Sequence, residues 1–297
     1  MKSSFLSVVI VSIVLTTGCG GSGGGAGTAA STNASTAASP STGPTSAPTT
    51  LAATINGSAT AFTVPTAAIA GVTSYPTVVY VPADYTTTTD LLPVIYITDG
   101  VPNAGSSELP PFEFSDVCRI LEDQHIRAVV VGVTGQNRDT DYLMPGAATF
   151  YKFVTEELMP FVETKYRIDP TKRTLSGHSY GGLFAGYALN MERPDRRYFS
   201  NFIMEDGSFW YQPDVMIAEE KNLFTAFGGT LPGIKVVLSS STLGNDPYVQ
   251  SYYSNLLSLN FSGLYITNIP AFQTTHFDMF DNGFSASVSV IFPSPPS

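Results

Sequence analysis

Short apolar runs alternate with longer stretches of helical spacing between residues 59 and 269. Residues 59–64 and 77–81 read as strands, the second followed by the turn-forming Pro82-Ala83-Asp84. Residues 93–98 are continuously apolar and end in Asp99-Gly100, and 128–133 is a valine-rich run. A segment apolar on both faces suits the interior of a parallel sheet. Phe150, Phe153, Val154, Leu158, Phe161 and Val162 recur at helical spacing and predict a helix to about Tyr166. Helices are also expected over 114–124 and 247–257, and further strands over 202–204, 235–238 and 265–269. Strands alternating with helices in this way predict an α/β fold: a mostly parallel central sheet with helices on both faces.

Residues 173–190 hold this pattern together: a short strand, the turn Gly177-His178-Ser179-Tyr180-Gly181, then a helix. A G-x-S-x-G sequence in that setting is a nucleophile elbow, which exposes the serine hydroxyl at the strand's carboxyl end. The same pattern at Gly20 to Gly24 has neither a strand before it nor a helix after it, and is accidental. In parallel sheets the working residues gather at the carboxyl ends of the strands. Thr98 to Gly100, Ser179, Glu205-Asp206, the segment 239–246 and His276 all fall there.

A serine nucleophile needs a base, and imidazole titrates in the right range. The chain has three histidines. His178 sits inside the elbow and cannot turn back onto its neighbour's hydroxyl. His125 precedes a strand, on the opposite edge of the sheet. His276 lies past the last strand, in the order serine, acid, histidine of α/β-hydrolases, and is the expected base. Asp246, after the strand at 235–238, is the expected acid that would orient it, with a helix cap beside Pro247 as its structural alternative. Asp206 and Glu205 are the competitors. The oxyanion would be met by two backbone N–H groups, those of Tyr180 and Val101. The scattered histidines lack the H-E-x-x-H spacing of a metallohydrolase, so neither metal nor cofactor is expected.

The first residues carry a different signal. Met1-Lys2 followed by an apolar run over 5–15 resembles a signal peptide, and that run is too short to span a bilayer, which takes about 20 residues. Leu15-Thr16-Thr17-Gly18-Cys19 resembles a bacterial lipoprotein cleavage site with Cys19 lipidated. The expected organisation is a signal over 1–18, a Gly/Ser/Thr/Ala/Pro tether over 19–54 and one domain over 55–297. The protein is then exported, anchored by lipid to the outer membrane facing the periplasm or cell surface, or otherwise secreted. With Cys19 lipidated, Cys118 has no partner and reads as a small buried hydrophobe. Without Lys2, 13 basic residues face 24 acidic ones, a balance of −11 that argues against nucleic acid and against charge-driven membrane adhesion.

Four stretches resemble the enterochelin esterase and esterase D-like family of α/β-hydrolases, which takes in feruloyl esterases and mycolyltransferases. They are the strand ending in Thr98-Asp99-Gly100, the segment 130–138 with Asp141-Tyr142, the elbow, and Gly207-Ser208-Phe209-Trp210. The resemblance implies an α/β-hydrolase fold and a serine esterase acting on a small-molecule ester through Ser179, His276 and Asp246. It also favours Asp246 over Asp206, since relatives often carry uncharged residues at 205 and 206. Phe209 and Trp210 are expected to line the pocket or be buried. Arg138 would meet an anionic group of the substrate or form a structural ion pair. An acyltransferase on the same fold and an inactive binding module are the alternatives.

Overall fold

The computed structural model describes residues 55–101 and 114–293. The expected signal, tether and lipidation site lie outside the described residues. Eight strands form one sheet: β1 (Ser58–Pro65), β2 (Ser74–Val81), β3 (Leu92–Thr98), β4 (Val129–Val133), β5 (Ile168–His178), β6 (Asn201–Glu205), β7 (Lys235–Ser239) and β9 (Tyr265–Asn268). Their order is β1-β2-β4-β3-β5-β6-β7-β9, antiparallel across the first two pairings and parallel throughout the rest. Every strand expected from the apolar pattern is present. Two short strands were not expected: β8 (Ser241–Leu243) and β10 (Phe272–Thr275), which pair in parallel outside the main sheet.

The apolar runs are buried on both faces. Val94, Tyr96, Leu175, Phe202 and Val236 face one core, while Ile95, Ile97, Val130, Ile203 and Val237 face the other. The second core is closed by α1 (Phe114–Asp123) and α8 (Phe280–Ile291), which supply Val117, Leu121, Phe284 and Val288. On the first side, α2 (Arg138–Asp141) precedes the long helical segment expected over 150–166. That segment runs as α3 (Gly146–Lys152), a π-turn (Phe153–Leu158) and α4 (Met159–Glu163). Pro160, in the first turn of α4, follows the π-turn by two residues and has no N–H for the regular bond back into it.

Behind the elbow, α5 (Tyr180–Met191) buries every residue from Gly181 to Asn190. Helices α6 (Pro213–Ala226) and α7 (Asp246–Ser258) follow β6 and β8. A helix apolar on all sides belongs inside a fold, and α5 is pinned there by the sheet and by α3 and α6. This rigid seat fixes the turn that carries Ser179. Cys118 is buried and free, as its apolar neighbours implied.

Candidate active site

Strand β5 ends at His178 and α5 begins at Tyr180, leaving Ser179 alone to reverse the chain. Its backbone takes φ 59° and ψ −120°, a strained conformation for a residue with a side chain. Three hydrogen bonds hold it there: Ser179 N–H to Glu205 O at 3.0 Å, and Leu183 and Ser208 N–H to Ser179 O at 3.0 Å each. Gly177 and Gly181 are required by the crossing. A Cβ on either would run into the Thr98 hydroxyl, and one on Gly177 also into the Gly181 backbone. Ser179 Oγ lies 3.3 Å from Ser208 Oγ.

His276 follows β10, and the pairing of β10 with β8 lays it beside residues 241–245. Its Nδ1 donates to Asp206 Oδ2 at 2.7 Å, so Asp206 and not Asp246 is the carboxylate that orients the imidazole. Asp206 is completely buried, one residue past β6, with φ 42°. Its oxygens also accept from Ser241 N–H at 2.9 Å, Ser241 Oγ at 2.6 Å and Asn245 N–H at 3.1 Å. Although burial works to raise its pKa, these hydrogen bonds and His276 hold it below the ordinary carboxylate value. The loop after β7 therefore does not supply the acid. It supplies the donors that cradle an acid arriving from the neighbouring strand. Gly244 lets the loop close, since a Cβ there would strike Asp206 Oδ2.

Asp246 begins α7, where its Oδ1 accepts from Ser240 Oγ at 2.7 Å and Gln250 Nε2 at 3.1 Å. A carboxylate in the first turn is favoured by the helix dipole, and that is the role the structure gives it. The sequence signal for the acid was the Glu205-Asp206 pair itself, at the carboxyl end of a buried strand.

The elbow and the histidine loop touch through His178. Its Nε2–H donates to the His276 carbonyl at 2.8 Å, and the two rings lie 4.5 Å apart. Burial, helped by the nearby His276, lowers the His178 pKa to about 3, so the ring is neutral and its buried Nδ1 has no protein partner. His178, Asp206 and His276 bring potential metal-binding atoms within 4.8 Å of one another. Two hydrogen bonds, His178 to the His276 backbone and His276 to Asp206, account for that approach. Tyr180 opens α5, so its N–H belongs to a helix N-terminus directly after Ser179. Val101 is different: its N–H donates to Thr134 Oγ1 at 3.0 Å, and the same hydroxyl donates back to Val101 O at 2.5 Å. This closed pair turns the Val101 amide onto the end of β4, away from the role expected for it.

Of the expected pocket residues, Phe209 is core. It is 5% exposed and stacks on Tyr252 at 3.9 Å. Trp210 is 44% exposed and meets Tyr180 and Tyr211 at 6.4 and 5.7 Å, forming an aromatic cluster beside the elbow. Arg138 forks onto Asp99, with Nε 2.9 Å from Oδ1 and Nη2 3.0 Å from Oδ2, and lies over the Tyr180 ring. Tyr142 Oη donates to the same Asp99 at 3.2 Å. The segment resembling the family's arginine and Asp-Tyr elements is thus a brace under the β3 end. His125 is exposed in a turn at the other edge of the sheet.

A serine on a strand-to-helix elbow, a histidine–aspartate pair beside it and this sheet define an α/β-hydrolase fold. Residues 72–226 match the Putative esterase family, and the chain belongs to it. It is similar to the ferri-bacillibactin esterase BesA of Bacillus subtilis, with 38% identity over 72 residues, 24% of each chain. It is also similar to a siderophore enterobactin esterase of Emericella nidulans, with 34% identity over 82 residues, 27% of this chain and 26% of that one. The matched stretch thus spans about a quarter of each of these relatives. Among solved structures, an IroE-like serine hydrolase from Shewanella oneidensis superimposes with a TM-score of 0.63 at 20% identity, over 79% of this chain and 80% of that one.

Proposed function

We propose that the protein is a serine esterase that cleaves a small-molecule carboxylic ester through Ser179, His276 and Asp206. The observation that carries this reading is the 2.7 Å bond from His276 Nδ1 to a buried aspartate, on a loop tied to the Ser179 elbow through His178. Asp206 fixes the tautomer that leaves Nε2 as a bare acceptor. Substrate binding draws Ser179 Oγ off Ser208 and toward that nitrogen, a contact that commonly tightens only in the complex. The hydroxyl loses its proton to Nε2 as Oγ bonds to the carbonyl carbon. The oxyanion meets the Tyr180 N–H at the start of α5. His276 then returns the proton to the departing alkoxide, leaving an acyl-Ser179 ester. Water then gives up a proton to His276 as its oxygen bonds to the acyl carbon, and His276 returns that proton to Ser179 Oγ as the Oγ–acyl bond breaks and the acid leaves.

Labelling by a fluorophosphonate probe tests the reading. Wild-type protein should bind one equivalent covalently and Ser179→Ala none. An unlabelled, folded wild type would leave a binding module on the same fold. Export with a lipid on Cys19 is part of the proposal. It is supported by the Lys2 and apolar-run leader and checked by whether Cys19→Ala moves the protein from the detergent to the aqueous phase.

A further inference from the structure

The charges of this domain are sorted along the strand axis. Arg127, Lys165, Arg167 and Lys235 lie at or before the amino ends of β4, β5 and β7, and Lys172 and Arg173, inside β5, stand level with the start of β3, where Arg173 pairs with Val94. Arg193, Arg196 and Arg197 follow the far end of α5, at that same edge. Lys152 closes α3, and Lys221 stands about two turns inside α6. Arg119, midway along α1, is paired with Asp116 at 2.7 Å. At the carboxyl edge, where Ser179 lies, the described residues offer one cation, Arg138, and its fork is engaged by Asp99.

The surface around the elbow is also apolar. Trp210 and Tyr211 are exposed next to Tyr180, and on the histidine side Phe277 and Leu243 are 66% and 74% exposed. Phe277 meets the His276 ring at 5.0 Å, and Leu243 pairs with Thr275 across β8 and β10. Exposed apolar side chains thus adjoin both Tyr180, next to Ser179, and His276. A negatively charged substrate would approach against the field of an acidic chain and find, among the described residues of this edge, no guanidinium or ammonium without a partner. A flat neutral group would bury against the aromatic cluster at a gain set by its area.

We propose that the ester cleaved here carries no negative charge near its scissile bond and seats a flat apolar group against Trp210, Tyr211 and Tyr180. The inference rests on Ser179 being the nucleophile. It separates this chain from any relative that would take its ester as an anion.

Steady-state hydrolysis of a matched pair tests it: methyl 3-phenylpropanoate and the analogue with a carboxylate at the ring's 4-position. At low salt and pH 7.5 the neutral ester should show a kcat/KM at least about tenfold higher, and the gap should narrow as NaCl screens the field. Leu243→Arg should raise kcat/KM for the anionic analogue several-fold relative to the neutral one. Trp210→Ala should raise KM for the phenylpropanoate more than for methyl acetate. Equal or faster turnover of the anionic ester, or a Trp210→Ala effect equal on both methyl esters, overturns the proposal. Fluorophosphonate labelling of the same preparation separates the two failures: a labelled enzyme that prefers the anion sinks only the substrate class, and an unlabelled one sinks the esterase.

Discussion

Glu205 and Asp206 are consecutive, both completely buried, and opposite in every electrostatic respect. Asp206 lies past the strand end, where the loop after β7 turns three donors toward it and His276 adds a fourth. Glu205 is the last residue of β6, in register with His178 on one side and Ser239 on the other, under α8 near Gly283. Neither of its oxygens has a protein partner, and His178 Nδ1 and Ser239 Oγ are likewise unpartnered. Burial first, then the charge of Asp281, pushes the Glu205 carboxyl well above its ordinary pKa and favours its protonated form. One step along the chain separates a carboxylate made to be ionised from one made to be neutral. Burial alone does not decide a carboxyl's charge; the donors that reach it do.

The largest expected effect falls on the ionised partner. Asp206→Asn should lower kcat by roughly 10⁴-fold, because the amide no longer enforces the tautomer that leaves Nε2 free. Asp246→Asn should change kcat by less than about threefold, since its carboxylate only anchors α7. Equal losses in the two variants would reverse the assignment of the acid.

His178→Ala should cost roughly one to two decades in kcat with little change in KM, by freeing the His276 backbone from the elbow. Single-turnover kinetics would separate this from a binding defect. A KM effect of the same size would mean that His178 serves the pocket instead.

Stability offers the next contrast. Glu205→Gln should melt at or above the wild-type temperature at pH 8, because an amide keeps the shape and cannot ionise. Asp206→Asn should lose about 2–4 kcal/mol in chemical denaturation, as donors built for an anion are left facing an amide.

The two residues also pull the pH dependence in opposite directions. Glu205 lies well above its ordinary pKa, and Glu192 and Glu220 are raised to about 7 and about 8, all three mainly by burial. Each binds its proton more tightly folded than unfolded. Their contribution is therefore greatest below the unfolded value of about 4.3 and declines as pH rises toward the folded values, at up to about 1.4 kcal/mol per unit and group. Asp206 is lowered, so its contribution is present above its unfolded value and is lost as pH falls through the folded one. Because His178, lowered to about 3, adds stability as pH rises to its unfolded value of about 6.5, calorimetric melting from pH 6.5 to 8 should show declining stability in the wild type and a shallower decline in Glu205→Gln. A curve rising over that range would mean that these carboxyls are ionised in the folded state.

Much of this molecule is written locally. The strands, the elbow and the all-apolar α5 follow from runs of valine and phenylalanine and from two glycines that the crossing at Ser179 demands. His276 follows from elimination among three histidines. The bracing role of Arg138 was open as one of two readings, and the Asp99 fork decided it. These signals survive in one dimension because each depends on neighbours a few residues away.

The acid does not. Asp206 and Asp246 both follow strands at the same edge, and local sequence gives either a plausible place. What separates them is a set of hydrogen bonds spanning 35 to 70 residues, from Ser241, Asn245 and His276 to one carboxylate. The same holds for Val101, whose N–H is turned aside by a threonine 33 residues away. Sequence by itself determined the α/β architecture and singled out Ser179 and His276 as the proposed nucleophile and base, because steric and apolar rules act along the chain. The tertiary structure decided which buried carboxyl is charged, because that depends on how many donors distant segments bring within reach.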